Sequence, residues 1–348
     1  MMFFAVFTYH TKGVRMSHKP QFKLSRFLLP PLVCLFLWGC STVGVKVPVM
    51  RPAEINLKGK NELVVGQMSG RKAEKMSAYV KQKALDSGYF KVIDRNHLDR
   101  VMAELKLSTS DLVDNNSRKK LGRLMTGSVL ILGTILDYNY TENMNRETRE
   151  CTKTVKKKEY KYKCTHYYRK GAAVVRASFD IVDIETGETL RSKALEGRQY
   201  GATRAIDERP ARIDSNLLLD TCMKKVASNL IRAIAPWKDV VTANFKKDGD
   251  LPMMEAGINY AQAGLWNDAL LQFKSAVEMA DTNPDISPKV AALAYWNLGL
   301  AYEYTAQFED AETSIKKAFA LSSDADYLRE LKNIEKLKSE NLRLREQL

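Results

Sequence analysis

GSVLILGTILDY, residues 127–138, contains the unbroken apolar run VLILGTIL. A strand with one wet face alternates apolar and polar residues, so a run without alternation is that of a strand buried on both faces, in a domain with layers on either side. Upstream, strand and helix signals take turns. Leu63-Val64-Val65 is a short buried strand, and Met76, Tyr79, Val80 and Ala84 follow at helical spacing with Gly88 as the stop. Tyr89 to Ile93 gives a second strand; Leu98, Val101, Met102 and Leu105 then repeat as a helix behind Asn96 as N-cap, and Leu121, Leu124 and Met125 mark a third helix. Downstream, Val175, Ala177, Phe179 and Ile181 alternate with Arg176, Ser178 and Asp180, and ETGE at 185–188 turns the chain into a partner strand. A helix from Ile213 to Ile234 carries Leu217, Leu218, Val226, Leu230 and Ile231 before Pro236-Trp237 closes the unit. The expectation for residues 59–237 is therefore an α/β domain, a mixed sheet with helices.

The chain has 348 residues, 45% of them hydrophobic and 28% charged, which suits two modest globular domains. Its formal charge of +14 looks at first like an anionic partner. Lys12, Arg15, Lys19, Lys23 and Arg26 lie before Cys40 with no acid among them, however, and without them the balance is +9. Eleven Lys or Arg against four Glu between Glu142 and Arg176, a net +7, put most of that in one insert, 139–171. A basic excess confined to one insert, with no recognisable binding motif, argues against a nucleic-acid-binding protein.

At the N-terminus, Lys19, Lys23 and Arg26 precede the apolar run FLLPPLVCLFLW and then Gly39-Cys40. The layout is that of a secretory signal; twelve residues interrupted by Pro30 and Pro31 fall short of the ~20 that a spanning helix needs. LWGC resembles the lipobox of bacterial lipoproteins, although Trp38 stands where the family prefers a small residue. The resemblance implies that Cys40 is acylated and becomes the new N-terminus; the plainer alternative is a buried Cys in a signal anchor. Ser41 resembles the sorting pattern for the outer membrane, which would place a lipid-anchored protein facing the periplasm. Residues 1–39 then read as signal peptide, and 40–58, with Pro48 and Pro52, as a tether.

GYFKVIDRNHLDRVMAEL (88–105), GSVLILGTILDY (127–138) and FDIVDIETGETL (179–190), in that order, resemble the periplasmic domain of the CsgG-like family, the curli-secretion lipoproteins and their relatives. A similar domain occurs in lipoproteins that activate penicillin-binding proteins and in relatives of the TolB N-terminal domain, so the resemblance implies a fold without fixing a function. Channel-forming members of the family contribute amphipathic hairpins to a membrane barrel, each strand needing ~9–11 residues that alternate apolar outward. This sequence offers no such strands: CTKTVKKKEYKYKC (151–164) would put lysines into lipid, and Gly201 to Arg212 is short and charged.

Gly257, Tyr260, Ala269, Phe273 and Ala276 recur as Gly299, Tyr302, Ala311, Ile315 and Ala318, each displaced by 42 residues. The spacing within each unit is similar to the tetratricopeptide pattern, a helix pair of ~34 residues with a Gly at the close crossing. The expectation is an all-α tetratricopeptide-repeat domain: a linker at 238–252, two repeats over 253–323, and a final helix over 324–348 whose stripe Ile334, Leu337, Leu344 and Leu348 caps the array or, on a second reading, forms a coiled coil. The resemblance implies a concave groove in which Asn259 and Asn297 hold a peptide backbone.

Chemistry-bearing patterns are sparse. His97 and His166 flank no set at metal-ligand spacing, no Gly-rich phosphate loop follows a strand, and Gly-x-Ser-x-Gly does not occur, so neither an enzyme, a cofactor nor a metal is expected. Cys151 and Cys164 bracket the basic insert, and export would let them form a disulfide; Cys222, at helical spacing with Leu218 and Val226, reads as a buried free thiol. Within that loop Lys153, Lys156, Lys157, Lys158, Lys161 and Lys163 interleave with Tyr160 and Tyr162, which suits either an anionic partner or a solvated hairpin tip. The reading that joins these features is a scaffold or assembly factor held to the membrane by lipid, binding envelope proteins through its repeats and self-assembling through its sheet domain. Two alternatives stand beside it: a component of a curli-type export channel and a regulator of a cell-wall synthase.

Overall fold

The computed structural model describes residues 41–93, 103, 117 and 127–348. The signal segment, Cys40, the helices expected behind Asn96 and around Leu121, and His97 lie outside the described residues. A five-stranded mixed sheet is built from β2 (Glu62–Ser69), β3 (Lys91–Ile93), β4 (Ser128–Val155), β5 (Lys158–Asp183) and β6 (Thr189–Ile206), in the order β3-β2-β4-β5-β6. The β3-β2-β4 part is parallel and the β4-β5-β6 part antiparallel. Val129, Leu130 and Ile131 of the apolar run are all fully buried, as a central strand covered on both faces requires.

Helices α1 (Ala73–Ser87) and α2 (Ser215–Ile234) share one core with this sheet, in which Met76, Val80 and Ala84 of α1 and Met223, Val226 and Leu230 of α2 pack with Val175, Ala177, Phe179 and Ile181. Asp214 caps α2 by accepting from the Leu217 N–H at 3.0 Å. Gly88 ends α1 in the left-handed conformation (φ 65°), where its N–H reaches the Leu85 carbonyl. Cys222 is a buried free thiol whose Sγ donates to the Ala173 carbonyl at 3.4 Å.

Two segments expected to be a tether and a linker are neither. Residues 41–51 form β1 (Ser41–Arg51), which pairs antiparallel over its whole length with β7 (Trp237–Lys247), from Ser41 opposite Lys247 to Arg51 opposite Trp237. The physical reason is a period of two: Val43, Val45, Val47 and Val49 all turn to one side, with Val241, Ala243 and Phe245 opposite them. Pro48 is compatible because β1 is an edge strand, where a missing N–H leaves no ladder bond unmade. A two-stranded ribbon is marginal alone. This one lays its apolar side on the helical half, where Phe245 stacks on Phe273 at 5.3 Å between ring centroids.

That half is a run of five helices, α3 (Pro252–Gln262), α4 (Trp266–Thr282), α5 (Pro288–Tyr304), α6 (Phe308–Ser322) and α7 (Ala325–Gln347). Gly257 faces the Phe273 ring and Gly299 faces the Ile315 side chain so closely that a Cβ at either position would collide. The 42-residue repeat of the sequence is thus a repeat of one helix crossing, α3 on α4 and α5 on α6. Ile334 and Leu344 of α7 are buried, but Leu348 is 75% exposed and falls outside the stripe assigned to it. Besides packing on α6, α7 reaches the sheet side. Gln347 is buried, its Oε1 accepting from the Ala53 N–H at 2.8 Å and its Nε2 donating to the Ala53 carbonyl at 2.9 Å.

A polar cluster fastens α1 to α2. Tyr79 donates to Asp220, Lys75 pairs with the same carboxylate, and Lys224 reaches it at 2.9 Å. Burial alone would raise the Asp220 carboxyl, but hydrogen bonds from Lys75, Tyr79 and Lys224 outweigh it and hold the group well below the usual carboxylate range. A group depressed on folding contributes stability above its unfolded value, and that contribution disappears as pH falls through the folded one. Asp220→Asn is expected to lower the unfolding free energy by about 2 kcal/mol at pH 7. Denaturant titration should show that gap intact down to about pH 4 and narrowing below it; a gap that does not depend on pH would count against the charged cluster.

Candidate functional site

Two regions of the fold offer surfaces for a partner: the far end of the β4–β5 hairpin and the face of the helical array. A register shift between Ile135 and Asp137 turns Leu136 out to solvent, and the hairpin leaves the core beyond Tyr140 and Ala173. From there β4 runs on to Val155, an arm of about 50 Å at ~3.4 Å per residue. The basic insert expected between two strands is therefore the strands themselves. β6 accompanies β5 as far as Ile206 opposite His166, where Asp207 closes the edge by accepting from the Thr165 N–H at 2.7 Å. Beyond that point the arm has two strands only.

The pleat sorts the side chains of the arm. Lys153, Lys158, Tyr160, Tyr162 and Cys151 share one face with Arg149, Cys164, Glu147 and His166; Lys161 and Lys163 share the other with Glu150. The six lysines of the insert accordingly do not make one patch. Lys153 lies over the Tyr162 ring at 5.3 Å, and Lys161 pairs with Glu150 at 3.1 Å. Lys156 and Lys157 form the two-residue turn, both with positive φ (48° and 64°), at positions that hairpins usually give to Asn-Gly. Cys151 and Cys164 are joined as a disulfide across the hairpin, with Cα atoms 5.8 Å apart. His166 stands beside it, Nε2 3.5 Å from the Cys151 sulfur. The ligand atoms of Cys151, Cys164 and His166 lie within 4.8 Å of one another, a grouping that sequence spacing had missed because Cys151 comes from the opposite strand. While the two sulfurs are bonded to each other they are not thiolate ligands.

On the helical side, Asn259 and Asn297 part company. Asn259 is exposed on α3. Asn297 is fully buried on α5 and does hold a peptide backbone, but that of this chain: its Nδ2 donates to the Lys246 carbonyl at 2.6 Å and its Oδ1 accepts from the Lys246 N–H at 2.8 Å. Beside it the Trp296 Nε1 donates to the Asn244 carbonyl at 2.9 Å. The groove expected to await another protein is filled at this point by the outer edge of β7. The signal was present in the sequence as the alternation in residues 241–245, read there as linker.

Residues 61–208 match the family model described as "Curli production assembly/transport component CsgG". Over that span, less than half of the chain, the sequence is similar to a CsgG-family domain. The matched span takes in the sheet from β2 to β6 and the whole arm, and leaves out the ribbon and the five helices. Among solved structures, lipoprotein GNA1162 from Neisseria meningitidis is similar at 12% identity and a TM-score of 0.28, covering 49% of this chain and 94% of that one. The LpoB C-terminal domain from Salmonella enterica is similar at 11% identity and a TM-score of 0.25, covering 40% of this chain and 83% of that one. No curated protein matches the chain.

Within the matched span, β4 and β5 are long enough to cross a bilayer. What the arm lacks is an apolar face. One side carries Glu147, Arg149, Lys153 and Lys158, and the other carries Glu142, Arg146, Glu150, Lys161, Lys163 and Arg169. A lipid-facing lysine or arginine at mid-depth costs ~2–4 kcal/mol. Among the described residues no helix is long and apolar enough to cross a membrane either.

The Asn297 bridge gives a direct test of how the ribbon is held. Asn297→Ala leaves both polar groups of Lys246 without their partner, so a loss of about 1–3 kcal/mol in unfolding free energy, read as a lower denaturant midpoint, is expected; an unchanged midpoint would mean that the ribbon is fixed by its apolar side alone.

Proposed function

We propose that this chain is a lipid-anchored scaffold of the bacterial envelope, attached to the outer membrane through Cys40 and facing the periplasm. The observation that carries the reading is the β1–β7 ribbon. It begins at Ser41, one residue after the acylation candidate, and is packed on the helical half, while the chain leaves β1 for the CsgG-like domain. An anchor at Cys40 would hold both halves at the bilayer with no flexible tether between lipid and fold. We read the two Gly-centred helix crossings as tetratricopeptide repeats, closed by α7, that receive a second envelope protein. The sheet domain is the candidate for self-assembly, and the charged arm tip, stiffened by its disulfide, suits a polar or anionic surface. Binding rather than catalysis is the activity this arrangement favours.

The length of the arm favours a second reading, a subunit of an export channel, because its strands exceed the ~9–11 residues of a membrane-spanning β-strand. The charges on both of its faces weigh against it. Conductance in planar bilayers together with resistance to alkaline extraction would select the channel.

The anchor is tested in cells. Two or more acyl chains are needed for stable attachment, so Cys40→Ser is expected to move the protein from the membrane fraction to the soluble periplasmic fraction or to leave it unprocessed. A Cys40→Ser protein that is still processed and membrane-bound would sink the lipid assignment, and crosslinking of the wild-type protein followed by identification of what is attached would name the partner.

A further inference from the structure

A cavity of about 760 Å³ opens where the ribbon, α5 and α7 meet. Trp296, Leu300 and Tyr304 of α5 and Leu337 of α7 give it apolar and aromatic walls, and Glu303 and Glu330 bring two carboxyl groups to it. Glu303 is only 3% exposed, and its carboxyl meets no amide, hydroxyl or cationic donor among the described residues; its one hydrogen-bonding neighbour is another acid, Glu330. A buried carboxyl whose only polar neighbour is a second acid cannot be ionised there without a counter-ion, and the fold supplies none that faces it free.

The charges around it are already committed or turned to solvent. Arg51 is held by Asp239 and Glu340, Arg329 by Asp326, and Lys246 donates to Thr42. Lys336 lies 3.9 Å from Glu340, and Lys332 is exposed. Burial first, then the like charge of Glu330 and the proton the two acids share in a hydrogen bond, keeps the Glu303 carboxyl protonated far above the usual carboxylate range, with Arg51 offsetting this only in part.

We propose that this cavity binds a primary ammonium on an unbranched aliphatic stem, the chemistry of a lysine side chain or a free diamine, with Glu303 as its counter-ion and Glu330 beside it. The stem packs on Leu300 and Leu337, and the Trp296 and Tyr304 rings favour a cation over a neutral or anionic head. An anion would meet two carboxyl groups, and a neutral alcohol would use only one of them. Filling the site with a cation makes the charged form of Glu303 the stable one, so binding releases a proton. The free site is protonated and the bound one is not, so affinity rises with pH until the ammonium itself titrates. The inference deepens the reading of the helical half as a protein-binding module; because it is measured on purified protein, it fails separately from the membrane anchor.

The test is calorimetry on the purified full chain with three probes: N-acetyl-lysine N-methylamide, its norleucine counterpart and 1,5-diaminopentane. The lysine amide or the diamine is expected to bind, norleucine is not, and the dissociation constant should fall by up to about tenfold per pH unit between pH 6.5 and 8.5. Tighter binding of the lysine amide would assign the site to a peptide, and tighter binding of diaminopentane to a free amine. Glu303→Gln, which mimics the protonated acid in shape, should keep the melting temperature and weaken binding by about tenfold or more. No binding of either amine, equal binding of lysine and norleucine analogues, or undiminished binding to Glu303→Gln would overturn the assignment. The lysine and norleucine comparison on the wild-type protein decides the matter even if the variant does not fold.

Discussion

A strand edge cannot be left buried without partners for its N–H and C=O groups, and the way this chain meets that requirement on β7 governs the rest of its architecture. One edge of β7 is paired with β1. The other is met by side chains of α5, Asn297 on both polar groups of Lys246 and Trp296 on the Asn244 carbonyl. A second buried amide repeats the device, Gln347 of α7 on Ala53 just beyond β1. With Arg51 joining Asp239 of β7 to Glu340 of α7 as ion pairs, the helical half is fixed to both ends of the sheet domain's chain path by polar groups, and not by apolar contact alone. Each of these amides is matched donor to acceptor, which is the condition for a buried polar contact to add specificity instead of cost.

The consequence for function is geometric. A helical array whose inner face is partly taken by its own chain has a smaller and more selective opening than two free repeats would have. What remains is bounded by the ribbon on one side and α7 on the other, and its chemistry is set by acid and aromatic side chains of α5. The arm of the CsgG-like domain points to a different kind of contact. Its alternation divides Tyr160 and Tyr162 from Lys161 and Lys163, so no single face is uniformly basic, and the disulfide joins the two strands where β6 has already ended. Such an arm suits a water-facing role at its tip better than burial in hydrocarbon.

Most of the described sheet domain was legible in the residues themselves, because VLILGTIL, the alternation from Val175 to Ile181 and the helix spacing before Gly88 and after Ile213 are strong local signals. The matched CsgG-family span agrees with the motifs that suggested it. The ribbon was not read, although Val43, Val45, Val47 and Val49 alternate without a fault: Pro48 suggested a tether, and only pairing with a segment some two hundred residues away makes β1 an edge strand that tolerates it. The arm was read as an insert because charge hid a strand pattern that needs no apolar face when both faces are wet. Asn297 was singled out for the right chemistry and the wrong owner of the backbone. Glu303 carried no sequence signal at all, since its interest lies in what the ribbon and α7 bury around it.

The measurement that bears most directly on this account is hydrogen–deuterium exchange of residues 41–51 and 237–247 in the purified full chain. A ribbon welded to the helices predicts slow exchange in both segments, comparable with β4 and β5 near Val129 and Phe179 and lost only with global unfolding. Exchange within seconds in both segments, at the rate of an unstructured tether and linker, would contradict it.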